Sequence, residues 1–443
     1  MRFLGLDLGT TSFKGAVLDL ERRAVVHVCR VPTPEPVAAL PIGHHELNPD
    51  AVVAAVRRLI GELLADAPDA TGLVMCGQMH CVVLADDRGA PQSNIITWKD
   101  QRAADLVREL RGVVSPEVQR QIGRELRPGL PVATLPWMQR HGLLRPGLMP
   151  ASLGDFVLAR LCNSEPNVEP TTAAAYGLFD LDRGDWHREL IEQLELAGLR
   201  WPSIRRFGKG IGTANVGGSR LTCFTSVGDQ QCALAGVLLG ERELSLNIST
   251  GSQVSLLSGQ PGDGDFQVRP YFDGLWLRTI VQVPAGRSLA VLVNLLTELG
   301  ATRDPWERIA RETEQVGSTD LEVNLSFFAS GFGDRGSIAN IREDNLTVGR
   351  LFAAAFRSMA ENYEQCSRRL SPDRAWDRLV FSGGVAQRFE RLRREVLSRL
   401  GDPTWRLCPT EEDTLHGLLV LAHVCAGRAA TVREATGLFP ATR

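Results

Sequence analysis

Lysine is almost missing from this chain: Lys14, Lys99 and Lys209 are the only three among 49 lysines and arginines. A lysine at a chosen place is therefore informative. Charge of one sign is lacking too, since 52 acidic residues against 49 basic ones leave a net charge of −3. That balance gives no electrostatic case for nucleic acid. No apolar run approaches the ~18 residues needed to span a bilayer, so a membrane role is not expected. The nine cysteines form no C-x-x-C pair and are odd in number, which reads as buried thiols of a reducing, cytoplasmic setting. Cys76 and Cys81 bracket His80, but such a trio reads as core, not as a metal site. The chain opens directly on a strand containing Asp7, which leaves no signal peptide to be read.

What is present organises itself around the first 19 residues. Phe3 to Leu8 and Phe13 to Leu18 are apolar runs flanking Gly9-Thr10-Thr11-Ser12, which predicts a β-hairpin with Asp7 at its mouth. A turn of small residues leaves backbone N–H groups and hydroxyls able to converge on a phosphate, with Lys14 adding charge from the return strand. A simple turn is the alternative reading. The hairpin recurs 240 residues on: Leu4, Leu6, Thr10 and Ser12 reappear as Leu244, Leu246, Thr250 and Ser252, while Asp7 becomes Asn247. A repeat at about half the chain length predicts two related domains, each with a phosphate hairpin.

At 443 residues with 44% hydrophobic content, two domains are the natural division. Along the first half the pattern reads β-β-β-α-β, with a helix from Pro49 to about Pro68 and a strand Leu73 to Cys76 running into Gly77-Gln78-Met79-His80. Cys81 to Ala85 reads as a strand, and Ile95-Ile96 as another leading to Asp100 and Arg102. Ligand groups gather at such strand ends, although Asp100 reads equally as a helix cap. Ala151 to Cys162 and Asp185 to Leu196 look helical. In the second half a strand Leu221 to Val227 ends in Gly228-Asp229-Gln230-Gln231, and helices follow over 230–239, 287–299, 304–314 and 347–370. A strand 378–381 runs into Ser382-Gly383-Gly384, then a helix 387–400, a strand 404–407 and a last helix 410–425. Asp229 could cap its helix or act as a base. Gly383 and Gly384 could let an adenosine lie against bare backbone.

Seven motifs in order, DLGTTSFK, GQMH, TWKDQR, AAAYGLFD, GDQQ, NISTGS and SGG, resemble those of the FGGY carbohydrate kinases over essentially the whole chain. Within that family LNISTGSQ, GDFVLARLC and RPYFDG look like the sedoheptulokinases, while xylulokinases share GQMH and the Gly-Asp pair. The resemblance implies two α/β, ribonuclease H-like domains of the actin, Hsp70 and sugar kinase superfamily with a cleft between them. It divides the chain into residues 1–220, with the first hairpin and the sugar site, and residues 221–443, with the second hairpin, the catalytic aspartate and the adenosine site. It implies Asp7 near a magnesium ion, held through water, Thr10, Thr11 and Lys14 at the nucleotide phosphates, Thr250 and Gly251 at the terminal phosphate, and Gly383 and Gly384 at the adenosine. Gln78, Met79, His80, Asp100 and Arg102 fall where relatives hold the sugar, and Asp229 matches the general base. Cys81, Gln387-Arg388 and His416 depart from the family pattern, the last two leaving the adenine pocket least defined. ATP and magnesium are the implied cofactors, a sugar the partner, with a homodimer as an allowed assembly. The expected reaction is phosphorylation of a sugar hydroxyl, sedoheptulose first, xylulose or another ketose or polyol second. A non-catalytic ATP-binding sensor or chaperone is the rival class.

Overall fold

Strand β1 (Arg2–Leu8) is buried along nearly its whole length and pairs antiparallel with β2 (Ser12–Asp19), Leu8 lying opposite Phe13. This is the expected hairpin. The computed structural model describes residues 1–298, 300, 304–410 and 412–440. Among them the chain divides into two compact units: 1–238 with 268–276 and 412–440, and 239–267 with 277–410. Leu299, Glu411 and residues 441–443, included in the expected helices and second domain, lie outside the described residues.

In the first unit, β3 (Ala24–Pro32) continues the meander, and helix α1 (Pro49–Asp66) carries the chain over to β4 (Gly72–Gly77), which runs parallel to β1. Asn48 caps α1 by accepting from Ala51 N, and Pro49 occupies the first turn, where its missing N–H costs nothing. The helix buries Val52, Val56, Leu59, Ile60 and Leu63 at helical spacing. Helices α2 (Leu153–Cys162) and α3 (Pro170–Ala173) follow. Strands β5 (Gly210–Val216) and β6 (Ser219–Phe224) then extend the sheet beyond β4.

Two readings are corrected here. The expected strand 221–227 is broken, and only Val227–Gly228 (β7) resumes pairing with β4 before helix α4 (Asp229–Gly236). Thr222 lies opposite Gly72 and Val227 opposite Cys76, five residue steps against four. One extra residue is thus inserted, which flips every later side chain to the other face of the sheet. The expected helix 185–196 begins only at Arg188, because Asp185–Trp186 pairs with Phe179–Asp180 and His187 caps the helix.

The division at residue 220 is also corrected. β6, β7 and α4 remain with the first unit because they pair with or pack beside β4, so Asp229 belongs to the first unit and not to the second. The helix Asp413–Cys425 returns to the first unit, where Leu415, Leu418, Leu419 and Leu421 join Phe3, Ala16 and Leu18 in one core. Its approach to α4 is close: a Cβ on Gly417 would sit 1.9 Å from Cys232 O, and one on Gly236 1.8 Å from Asp413 O.

The second unit repeats the opening motif. β8 (Glu243–Ile248) and β9 (Ser252–Ser258) form an antiparallel hairpin, and β8 is flanked on its other side by the parallel strand β10 (Arg378–Ser382), reached through the long helix α5 (Val348–Leu370). β11 (Thr404–Leu407) pairs parallel with β10. The order β2-β1-β4 is thus matched by β9-β8-β10, with the same directions. The helix expected over 387–400 is two, Gly384–Arg388 and Glu390–Arg399, parted at Phe389.

The α4 contact yields a paired test. Gly417→Ala should cost about 1–3 kcal/mol, the usual range for overpacking, whereas Gly61→Ala, with nothing within 4 Å of the new methyl on α1, should gain about 0.5–1 kcal/mol. Denaturant midpoints of the two variants check the opposite signs.

Candidate active site

The first unit brings most of the expected residues to one end of its sheet. Asp7 lies near the end of β1, Gln78 directly follows β4, and Asp229 directly follows β7. These three strands pair in sequence, β1 with β4 and β4 with β7. Their carboxyl ends therefore share one edge, where α/β sheets carry ligands.

Asp7 is 7% exposed. Burial pushes its carboxyl up, against a hydrogen bond from Thr414 Oγ1 at 2.7 Å that favours the charged form. Lys14, directly opposite Asp7 across the hairpin, holds Glu412 Oε2 at 2.7 Å. The hairpin turn is tied down by its carbonyls: Gly9 O accepts from Thr33 Oγ1 at 3.0 Å and Gln78 Nε2 at 3.4 Å, and Thr11 O accepts from Thr33 N at 3.2 Å. Thr10 Oγ1 accepts from Trp98 Nε1 at 3.2 Å, while Thr11 is exposed.

Asp229 is the first residue of α4, whose cap is Gly228 with no side-chain bond; its Oδ1 accepts from Gln230 N at 2.9 Å. Its carboxylate thus bonds an N–H of the first turn, although the cap position itself is held by Gly228. Burial, and after it the negative charge of Asp7, pushes the Asp229 carboxyl up to about 7. Asp413 is raised as well, by burial first and with a further push from Asp7. Carboxylates that feel one another's charge in this way resist ionisation together. Among the described residues no group of three or more His, Cys, Asp and Glu side chains has metal-holding geometry.

Met79 is buried and His80 adopts a left-handed backbone, φ 72°. Burial lowers the His80 imidazole to about 4, so the ring is neutral at physiological pH. Its Nε2 makes no hydrogen bond and stands 3.7 Å from Glu125 Oε2. Glu125, fully buried, accepts from Arg269 Nε at 2.7 Å and Arg127 Nη2 at 3.0 Å. Burial alone would raise this carboxyl, but the charges of Arg269 and Arg127 hold it well below the usual range. Arg269 also donates to Gln230 Oε1, next to Asp229. Asp100 and Arg102 are both buried and committed to each other: Asp100 accepts from Arg102 Nε and Nη2 at 2.8 Å each and from His45 N at 2.7 Å, and Arg102 reaches Glu46 at 2.5 Å. Asp100 is no helix cap, because the next helix begins at Ala104.

Sequence reasoning missed Glu125, Arg127, Thr414 and Glu412, and had Arg269 only inside RPYFDG. The available signal was an arginine between Val268 and Pro270, in an otherwise apolar context. His416, noted as a departure near the adenine pocket, lies in the first unit and donates from Nδ1 to Gly236 O at 2.6 Å.

The second unit gathers the other candidates. In the turn of its hairpin Thr250 and Gly251 are exposed, and the helix Gly286–Thr297 donates to that turn from Gly286 N to Ser249 O at 3.0 Å and Arg287 N to Thr250 O at 2.8 Å. Gly383 has φ 86°, and a Cβ there would meet Ile248 O at 2.5 Å. Only glycine fits such a position. Gly384 is open beside it. The hairpin turn and the glycine pair of this unit are therefore neighbours.

A fold of repeated hairpin-and-strand motifs, with carboxylates at strand ends, is that of the sugar kinases, and residues 2–236 match the FGGY family of carbohydrate kinases, N-terminal domain. The chain belongs to the FGGY family and is an ATP-dependent carbohydrate kinase. It is similar to mouse (Mus musculus) sedoheptulokinase, at 24% identity over 89% of this chain and 91% of that protein. Among solved structures it is similar to a ligand-bound xylulose kinase from Lactobacillus acidophilus (TM-score 0.87, 17% identity, 100% and 93% of the two chains). It is similar also to Plasmodium falciparum glycerol kinase with ADP (TM-score 0.84, 17% identity, 99% and 92%). Among the described residues no helix is long and apolar enough to cross a membrane.

The buried cluster supplies a test. Arg269→Met removes the largest charge that compensates Glu125 and should cost about 3–5 kcal/mol, the usual range for breaking a buried pair. Adding Glu125→Gln should return part of that cost. Chemical denaturation of the two single variants and the double variant reads the coupling.

Proposed function

We propose that this kinase transfers the terminal phosphoryl group of ATP to sedoheptulose, giving sedoheptulose 7-phosphate, with Asp229 as general base. The observation that carries the chemistry is Asp229 itself: a carboxylate at a strand end, within electrostatic reach of Asp7, with its pKa pushed up to about 7. A base poised near the working pH combines the correct ionisation with a useful driving force for proton transfer. The sugar oxygen attacks the terminal phosphorus in line, the bond to ADP breaks, and the hydroxyl proton passes to the Asp229 carboxylate. Full-length similarity to sedoheptulokinase supports the seven-carbon substrate.

In this reading the residues divide by unit. In the first, Thr10, Thr11 and Lys14 face the phosphates. Gln78, Met79, His80 and the Asp100–Arg102 pair hold the sugar, the neutral His80 ring being able to donate to or accept from a hydroxyl. In the second unit Thr250 and Gly251 hold the terminal phosphate and Gly383 and Gly384 the adenosine. Asp7 would hold magnesium through water. Magnesium supplies charge neutralisation on the phosphates when bound. Nine free cysteines, six of them buried, agree with a reducing, cytoplasmic location.

Asp229→Asn keeps shape but cannot take the proton, so turnover should fall by about 10²-fold or more with ATP binding retained. In the unmodified enzyme kcat should rise as pH increases through about 7, as Asp229 ionises, and the variant should lose that limb. A panel of sedoheptulose, xylulose, gluconate and glycerol, scored for phosphorylated product against ADP release, checks the acceptor. Preference for a five-carbon ketose or for glycerol would overturn the substrate assignment.

A further inference from the structure

The extra residue between β6 and β7 leaves backbone groups on both sides of it that the sheet does not pair. Two threonines of α3 take them up. Thr172 Oγ1 donates to Ser226 O at 3.3 Å, and Gly228 N donates to Thr171 Oγ1 at 3.1 Å. A hydroxyl that accepts from an N–H still has its own proton to give, and Thr171 gives it to Glu169, the residue that caps α3 and also accepts from Thr171 N at 2.7 Å. Glu169, Thr171, Thr172 and Ser226 are all 5% exposed or less. Water therefore has little access to replace these bonds, and an unmade bond here carries the full desolvation cost.

From this geometry we infer that Thr171 is a positioning residue for phosphoryl transfer: with Thr172 it clamps the bulge on either side of Val227 and so fixes the aim of Asp229. Asp229 follows Gly228 directly, and Gly228 has no side chain through which its own position could be locked. A Cβ there would collide with Gln231 Oε1 at 2.5 Å and approach Met79 Sδ at 3.1 Å. The backbone bond to Thr171 does that work instead. The short helix α3 thus reads as a support for the carboxylate, joined to it by one hydrogen bond and one peptide unit. This inference rests on Asp229 being the base.

The test is a double-mutant cycle on kcat. Thr171→Val is isosteric and removes both the acceptor for Gly228 N and the donor to Glu169. It should lower kcat by about 10-fold, in line with the sensitivity of rate to small displacements of a reacting group, with the KM values for sugar and ATP changed less than about 2-fold. Thr171→Ser, which keeps the hydroxyl, should restore kcat to within about 2-fold of the parent. In an Asp229→Asn background Thr171→Val should have almost no further effect, because the group it aims is already disabled. If the valine variant does not fold, Thr171→Ala takes its place in the same cycle. An equal fall in kcat with and without Asp229, a failure of serine to rescue, or no fall at all in a folded variant overturns the inference. Near-normal turnover of Asp229→Asn alone would instead overturn the assignment of the base.

Discussion

Taking carboxylates of like charge out of water at one end of a sheet is the constraint on which the first unit depends. Asp7 and Asp229 arrive there because β1, β4 and β7 are parallel neighbours whose carboxyl ends coincide. Each is raised by burial, and the charge of Asp7 raises Asp229 further. The protein answers with hydrogen-bond donors and with the charges of Lys14 and Arg269. Thr414 bonds Asp7, Gln230 N bonds Asp229, and Lys14 is drawn to Glu412. The outcome is an Asp229 carboxyl held near neutrality, as the proposed role of proton acceptor requires.

The second unit shows the same scaffold with that chemistry removed. Its hairpin has Asn247 opposite Gln253 where the first has Asp7 opposite Lys14. Exposed Thr250 and Gly251 and the glycine pair beside them leave a surface of backbone and hydroxyl groups, suited to phosphate and adenosine rather than to proton transfer. In the proposed function one architecture serves two tasks through a few substitutions at the hairpin.

Much of this was legible in the sequence because it is local. The hairpins, α1, the repeat and the order of the motifs rest on periodicity and turn residues, and they stand where the sequence places them. What was not legible depends on pairing at long range. The segment 221–227 reads as one β-prone run, and nothing in its residues says that β4 will pair with it in two registers. The return of 268–276 and of the last helix to the first unit has the same cause, and it moved the domain boundary past Asp229. Glu125 and Arg269 are 144 positions apart, so neither announces the other. Asp100 and Arg102 were legible as neighbours but not as a buried pair, since that depends on His45 and Glu46 closing over them.

The central claim is that Asp229 carries a carboxyl raised by burial and by Asp7, ready to accept a proton near neutrality. Its most direct test is a ¹³C NMR titration of aspartate-labelled protein, with the Asp229 carboxyl resonance assigned by its loss in Asp229→Asn. The account predicts a midpoint near 7 that moves down in Asp7→Asn, where the neighbouring charge is gone. A midpoint in the ordinary range near 4, unmoved by the loss of Asp7, would contradict it.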